Sequence, residues 1–136
     1  MPWVVDTCLL IDVAQQDSLF GIRSAALIDS KVAEGLVICP VTYVELAPVF
    51  GRDLSGQDEF LFETNITFHE PWTQLDTVEA AIAWHRYVSV RRATRSAKRP
   101  IADILIGAFA LRFTGLLTGN AEDFRPLFPT LNIAVP

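Results

Sequence analysis

The sequence has few cysteines and no long apolar run. Cys8 and Cys39 are the only cysteines in 136 residues, which excludes a disulfide-rich scaffold and favours a reducing cytoplasm with two free thiols. No apolar run approaches the roughly 18 residues that a membrane-spanning helix needs. The first residues, MPWVVDTCLLID, also lack the basic leader of a secretory signal. We therefore expect a cytoplasmic protein with no membrane segment.

Basic residues are also scarce. The chain has 11 Lys and Arg residues against 16 Asp and Glu residues, a formal net charge of −5, which argues against binding nucleic acid over its whole surface. Five of the 11 basic residues nevertheless lie in the stretch RRATRSAKR. This basic segment is either a solvated helix face or a set of phosphate contacts for RNA. Its members are Arg91, Arg92, Arg95, Lys98 and Arg99.

Apolar residues, in contrast, are abundant. The chain is 51% hydrophobic and 20% charged, a composition that excludes intrinsic disorder. Its length suits one hydrophobic core without help from disulfides, and it contains no internal repeat, low-complexity tract or linker. We therefore expect residues 1–136 to form a single domain.

Short β-branched runs alternate with longer helical patterns along the chain. The runs WVVD, LVIC, NITFH, LLTG and NIAV predict five strands. The segments between them predict helices over residues 9–16, 18–35, 41–50, 58–63, 73–93 and 100–114. Strands separated by helices indicate an α/β fold, in which helices cover both faces of a central, mainly parallel sheet of about five strands.

Two of the predicted helices have a recognisable packing face. In helix 73–93 the residues at helical spacing are predicted to face the core. They are Leu75, Val78, Ala81, Ile82, Trp84 or His85, and Val88. In helix 100–114 the small or apolar residues on the face of Asp103 are predicted to pack closely on the sheet. These are Ile106, Gly107 and Ala110.

Four acidic residues lie where sites form in parallel sheets. Such sites lie beyond the carboxyl ends of the strands, because loops and helix N-termini converge there. Asp6 ends the first strand, Glu45 follows the second and Asp123 follows the fourth. Asp103 lies in the first turn of the helix before the fourth strand, so it is predicted to reach the same edge. Taken alone, Asp6 also has a simpler interpretation as a helix cap.

Carboxylates gathered at one edge repel each other unless a cation or a proton compensates their charge. Mg²⁺ and Mn²⁺ prefer oxygen ligands. His69 and His85 are isolated from each other and from the cysteines, so surface or packing roles are expected for them rather than zinc binding. A divalent ion bound by carboxylates activates water and neutralises charge on a phosphodiester. The acids therefore favour a metal-assisted nuclease.

Four pieces of the sequence resemble the PIN-domain family, and in particular the VapC-type toxin ribonucleases of toxin-antitoxin pairs. The pieces are VVDTCLLID, TYVELAPV, RPIADILIGAFAL and LLTGNAEDF, and they span nearly the whole chain. The resemblance implies a PIN-like three-layer α/β/α fold. It assigns the family's four acidic positions, which bind Mg²⁺ or Mn²⁺, to Asp6, Glu45, Asp103 and Asp123.

The resemblance also covers neighbouring polar residues. Thr118 and Asn120 match the family's Thr-x-Asn element, and Thr7 follows the first acid, so these three residues are expected to support the metal site. Cys8 departs from the pattern, because the family more often has Asn or Ser at this position. The family's fourth acid is its most variable one, and Asn120 is an alternative to Asp123 in that role.

An activity and partners are implied as well. The expected reaction is cleavage of single-stranded RNA by a metal-bound water, which leaves a 5′-phosphate and a 3′-hydroxyl. The expected partners are the RNA substrate, a second copy of the chain in a homodimer, and a VapB-type antitoxin that completes a heterotetramer or a larger assembly. The antitoxin, rather than this chain, would carry the DNA-binding domain.

Two further functions are weighed against this one. In the first the chain keeps the fold but has lost catalysis and only binds an antitoxin or RNA; the presence of all four acids argues against it. In the second the chain is a receiver-like or phosphatase-like domain that forms an aspartyl phosphate. That chemistry needs a lysine near the last strand, and no lysine follows Lys98. We therefore expect a metal-dependent endoribonuclease.

Overall fold

A computed structural model describes residues 1–94 and 100–136, and for residues 91–94 it describes the backbone only. Within these ranges five strands alternate with seven α-helices. The strands are β1 (Trp3–Val5), β2 (Leu36–Val37), β3 (Ile66–Thr67), β4 (Gly115–Leu117) and β5 (Ile133–Ala134). The helices are α1 (Thr7–Ala14), α2 (Gly21–Lys31), α3 (Pro40–Leu46), α4 (Leu54–Glu63), α5 (Gln74–Thr94), α6 (Ile101–Ala110) and α7 (Ala121–Phe124).

The five strands form one parallel sheet in the order β3-β2-β1-β4-β5. The predicted α/β fold with a parallel sheet is confirmed. Four predicted strand segments contain an observed strand, and the fourth, LLTG, overlaps β4, which begins one residue earlier at Gly115. The chain builds outward from β1 on one side and then crosses to the other side to form β4. The topological switch point, where open parallel sheets place their sites, therefore lies at the carboxyl ends of β1 and β4.

Helices cover both faces of the sheet. Neighbouring residues of a strand point to opposite faces, so each strand contributes side chains to the core on either side. On one face, Val4 packs with buried residues of α5, α6 and α7, including Phe109 and Phe124. On the other face, Val5 packs with buried residues of α1, α2, α3 and α4, including Leu10 and Leu61. The architecture is a three-layer α/β/α sandwich with a hydrophobic core on each side of the sheet.

Several helices begin or end at residues other than the predicted ones. Helix α2 begins at Gly21, later than predicted. Asp17 Oδ1 accepts hydrogen bonds from the backbone N–H groups of Leu19 and Phe20, both at 2.8 Å, and so holds these two residues in a turn before the helix. Helix α4 begins earlier than predicted, because Asp53 Oδ1 caps it by accepting from the Gly56 N–H at 3.0 Å. None of the helices in the described ranges is both long and apolar enough to cross a membrane.

The predicted core face of α5 is wrong for its large aliphatic residues, although the predicted Trp84 does pack against the core. The large apolar residues Leu75, Val78 and Ile82 are 55%, 44% and 49% exposed, whereas Ala80 and Ala83 are buried. Ala80 and Ala83 share one core cluster with the buried residues of α6, and small side chains let two helices approach closely. The close approach of α5 and α6, rather than the size of the apolar side chains, therefore determines which face of α5 packs in the core.

One residue on the small face of α6, Gly107, meets a different neighbour from the predicted one. Ile106 and Ala110 are buried as expected. A side chain at Gly107, however, would place its Cβ 2.2 Å from Cε2 of Phe128. Gly107 therefore makes room for an aromatic ring from the segment between α7 and β5, rather than for the sheet.

Candidate active site

The topology brings the predicted acids towards one edge of the sheet. Asp6 follows β1 directly, Glu45 lies in α3 after β2, and Asp123 lies in α7 after β4. Asp103 lies in the first turn of α6. Helix α6 packs against both α3 and α7, so the two helices that carry Glu45 and Asp123 flank the helix that carries Asp103.

Asp6 is the most buried of these four acids. Its backbone N–H donates to the carbonyl of Leu117 at 2.9 Å, which fixes it beside the end of β4. Its side chain is 4% exposed. Oδ1 accepts from the Thr7 N–H at 2.8 Å, and Oδ2 accepts from the Thr118 hydroxyl at 2.7 Å. Asp6 is thus a helix cap and a buried carboxylate at the same time.

Thr7 connects Asp6 to Glu45. Its backbone N–H binds Asp6, and its hydroxyl donates to Glu45 Oε1 at 2.7 Å. The same hydroxyl lies 3.0 Å from Oγ1 of Thr42, which is completely buried in α3. Glu45 itself is exposed, so one of its oxygen atoms is held by Thr7 while the carboxylate stays accessible to solvent.

Cys8 takes part in the same network. Its thiol donates to Asp6 Oδ2 at 3.3 Å and lies 3.8 Å from Oγ1 of Thr118. Cys8 is not the Asn or Ser that the resemblance favours at this position, but it still donates a hydrogen bond to Asp6. Thr118 is fully buried and in turn accepts from the backbone N–H of Asn120 at 3.0 Å. The Thr-x-Asn element thus supports Asp6 through Thr118, while the Asn120 side chain is exposed.

The charge on Asp6 is poorly compensated. Removal from water raises the pKa of this carboxyl, the nearby Glu45 carboxylate raises the pKa further, and the hydrogen bonds from Thr118, Cys8 and Thr7 lower it in part. All three donors are neutral groups. Oδ2 accepts two hydrogen bonds and Oδ1 accepts one, so acceptor capacity remains on Oδ1.

Both cysteines are free, and neither is a nucleophile in its resting state. Burial raises the pKa of the Cys8 thiol to about 12, and the charge of Asp6 adds to this effect. Burial also raises the pKa of Cys39 to about 12. Because the thiolate is the reactive form, Cys8 acts here as a hydrogen-bond donor only.

Asp103 and Asp123 are half-buried. Among the described residues, no three His, Cys, Asp or Glu side chains lie close enough together to hold a metal ion. Asp123 lines a cavity of about 170 Å³ whose wall includes Arg86, Tyr87 and Glu122. The structure therefore joins two of the four acids, Asp6 and Glu45, in one hydrogen-bonded network.

The basic segment lies outside the described residues: the side chains of Arg91 and Arg92, and the whole of Arg95, Lys98 and Arg99. The interpretation of these residues as phosphate contacts stays a prediction. The sequence did not predict the part that two residues play in this network. They are Thr42 and, as a hydrogen-bond donor, Cys8. A signal for Thr42 was present, because it lies three residues before Glu45 and so on the same helix face.

Comparisons with known proteins support the fold. No family model matches the sequence, and no curated protein matches it. The five-stranded parallel sheet between two layers of helices is that of a PIN-like α/β fold. The chain superposes on a chain of the crystal structure of VapBC2 from Rickettsia felis bound to a DNA fragment from their promoter, with a TM-score of 0.62 and 12% identity. The match covers 99% of this chain and 98% of that one.

Proposed function

We propose that the protein is the toxin of a toxin-antitoxin pair and acts as a divalent-metal-dependent endoribonuclease on single-stranded RNA. The observation that carries this proposal is the environment of Asp6. A carboxylate that is 4% exposed lies at the switch point of a parallel sheet with a second acid beside it, and its hydrogen-bond partners are neutral donors. Such a group needs a cation or a proton for compensation.

The donor set suits Mg²⁺ or Mn²⁺. Mg²⁺ binds one or two carboxylates and keeps several of its waters, so the Asp6 and Glu45 pair would suffice without a cluster of three. Asp103 on α6 and Asp123 on α7 are the further ligands that the resemblance to the PIN-domain family implies. No histidine or cysteine of the described residues offers the nitrogen and sulfur set that zinc prefers.

The residues of the chain have distinct roles in this proposal. When bound, a divalent ion supplies an activated water and neutralises charge on the phosphodiester. Asp6 and Glu45 would hold the ion, and Thr118 and Thr7 would fix the carboxylate of Asp6 by donating to its two oxygens. The basic segment would guide the RNA backbone towards this edge of the sheet.

A VapB-type antitoxin and a second copy of the chain are the proposed partners. The structural neighbour is itself a VapBC2 assembly bound to promoter DNA. Apolar side chains on the surface of this chain offer a place for such contacts. Leu19 and Phe20, in the connection between α1 and α2, are 74% and 54% exposed, and Ile22, in the first turn of α2, is 85% exposed. Exposed apolar residues clustered in this way mark protein interfaces.

The activity is tested with purified chain, 5′-labelled single-stranded RNA and Mg²⁺. We expect Asp103→Asn to lower the cleavage rate at least about a hundredfold, the scale of losing one group that stabilises charge in the transition state. Asp29→Asn is the matched control, because it removes one exposed carboxylate of α2 and should cleave like the wild type. Cleavage by Asp103→Asn at the wild-type rate, or full activity in excess EDTA, would contradict the proposal.

A second candidate function is a module that binds antitoxin or RNA without catalysis. The separation of the acids favours it, since no three of them in the described ranges lie within reach of one ion. Isothermal titration with Mn²⁺ separates the two functions. Binding with a dissociation constant at or below the millimolar range supports the nuclease, and no detectable binding supports the inactive module.

A further inference from the structure

A chain of two buried hydroxyl groups leads to Glu45. Thr42 lies one turn before Glu45 in α3 and is 0% exposed. Its Oγ1 lies 3.0 Å from Oγ1 of Thr7, which in turn lies 2.7 Å from Glu45 Oε1. Thr7 belongs to α1, so the contact joins two helices that start from different strands.

The direction of this chain follows from the chemistry of its groups. A hydroxyl carries one hydrogen, and an ionised carboxylate only accepts. If the hydrogen of Thr7 points to Glu45, the hydrogen between the two threonines must come from Thr42. Each donor polarises the next one along such a chain. Thr42 therefore fixes the orientation of the Thr7 hydroxyl and strengthens its bond to Glu45.

We propose that Thr42 is a positioning residue of the metal site, which acts through Thr7 to hold the Glu45 carboxylate beside Asp6. This inference rests on the proposed function. Glu45 is exposed, and a free glutamate side chain loses considerable rotamer freedom when it becomes a metal ligand. The hydroxyl chain would restrict that freedom in advance, as groups behind a metal ligand commonly do.

The test is Mn²⁺ affinity, measured by isothermal titration on the whole chain without RNA. Thr42→Val keeps the shape of the side chain and removes its hydroxyl, and we expect Mn²⁺ to bind about tenfold more weakly, at the lower end of the effects found for groups behind metal ligands. Thr42→Ser keeps the hydroxyl and should bind as the wild type does. Ser24→Ala is the control. Ser24 on α2 also has a buried hydroxyl that donates to a carboxylate, that of Asp12 on α1, but it lies outside the network of Asp6 and Glu45.

A double variant tests the path through Thr7. If Thr42 acts through Thr7, Thr7→Val combined with Thr42→Val should weaken Mn²⁺ binding no more than Thr7→Val alone. Thr42→Ala replaces the valine variant if melting curves show that the latter does not fold. These comparisons separate an effect on Glu45 from a general loss of packing in α3.

The outcomes distinguish the two proposals. If the wild type binds Mn²⁺ and Thr42→Val binds equally well, the role of Thr42 is wrong and the proposed function stands. Equal weakening by Thr42→Ser and Thr42→Val would also overturn it, because the hydroxyl would then be irrelevant. If the wild type binds no Mn²⁺, the metal-dependent function fails and the role of Thr42 fails with it.

Discussion

At the scale of single residues, the burial of the Asp6 carboxyl costs stability as the pH rises. Burial is the main cause that raises the pKa of this carboxyl above its usual value of 3.8. Between 3.8 and the raised pKa the folded state holds a proton that the unfolded state has released, so stability falls as the pH rises through this interval. Function would explain why an ionisable group is kept in this position.

The first prediction concerns Asp6→Asn in EDTA. We expect the variant to melt a few degrees above the wild type at pH 7, since about 1 kcal/mol corresponds to roughly 4 °C in a chain of this size. The difference should shrink as the pH falls below 3.8, the usual pKa of an aspartate carboxyl, because Asp6 is then protonated in both states. Calorimetry from pH 3 to pH 8 measures it. A difference that is independent of pH, or a variant that melts lower at pH 7, would refute this account.

At the scale of helices and strands, local patterns predicted the elements well and their faces poorly. Apolar β-branched runs such as WVVD and LVIC contain β1 and β2. Such strands are predictable because side-chain alternation and bulk depend only on neighbouring residues. The core face of α5 is set by contact with α6, where Ala80 and Ala83 are buried and Leu75 is exposed. No pattern within α5 carries that information.

The next prediction tests the contact between α6 and the Phe128 ring. We expect Gly107→Ala to destabilise the fold by about 1–3 kcal/mol, the usual range for overpacking a core, because the new Cβ would lie 2.2 Å from the ring. Chemical denaturation measures the loss. Phe128→Leu should recover part of it in the double variant, since the two residues are in contact. Strict additivity of the two single changes would show that the clash is not the cause.

At the scale of the whole molecule, the sheet order concentrates polar groups at one edge. The chain crosses from one side of β1 to the other, which leaves Asp6 and Thr118 at adjacent strand ends. These residues are 112 positions apart in sequence and only 2.7 Å apart in space. Helix α3 adds Glu45 through Thr7, so three separate segments of the chain contribute to one network.

The last prediction follows from this network. A ligand that binds only the folded state raises its stability, so Mn²⁺ at about a hundredfold excess over its dissociation constant should add roughly 2.7 kcal/mol, or about 10 °C in melting temperature. EDTA should reverse the shift. Asp6→Asn should show little or no shift, whereas Asp29→Asn should respond like the wild type. An equal shift in the wild type and Asp6→Asn would place the metal elsewhere.

The sequence by itself determined the order of strands and helices and the positions of the acids along them. These follow from periodicity, capping and turn chemistry, which act over a few residues. Only the tertiary structure decided which acids meet, since the Thr7 contacts to Thr42 and Glu45 join residues 35 and 38 positions apart. It also decided that Cys8 donates to Asp6 and that α5 buries its alanines. Such contacts depend on how whole helices pack on the sheet, and no spacing along a single segment records that packing.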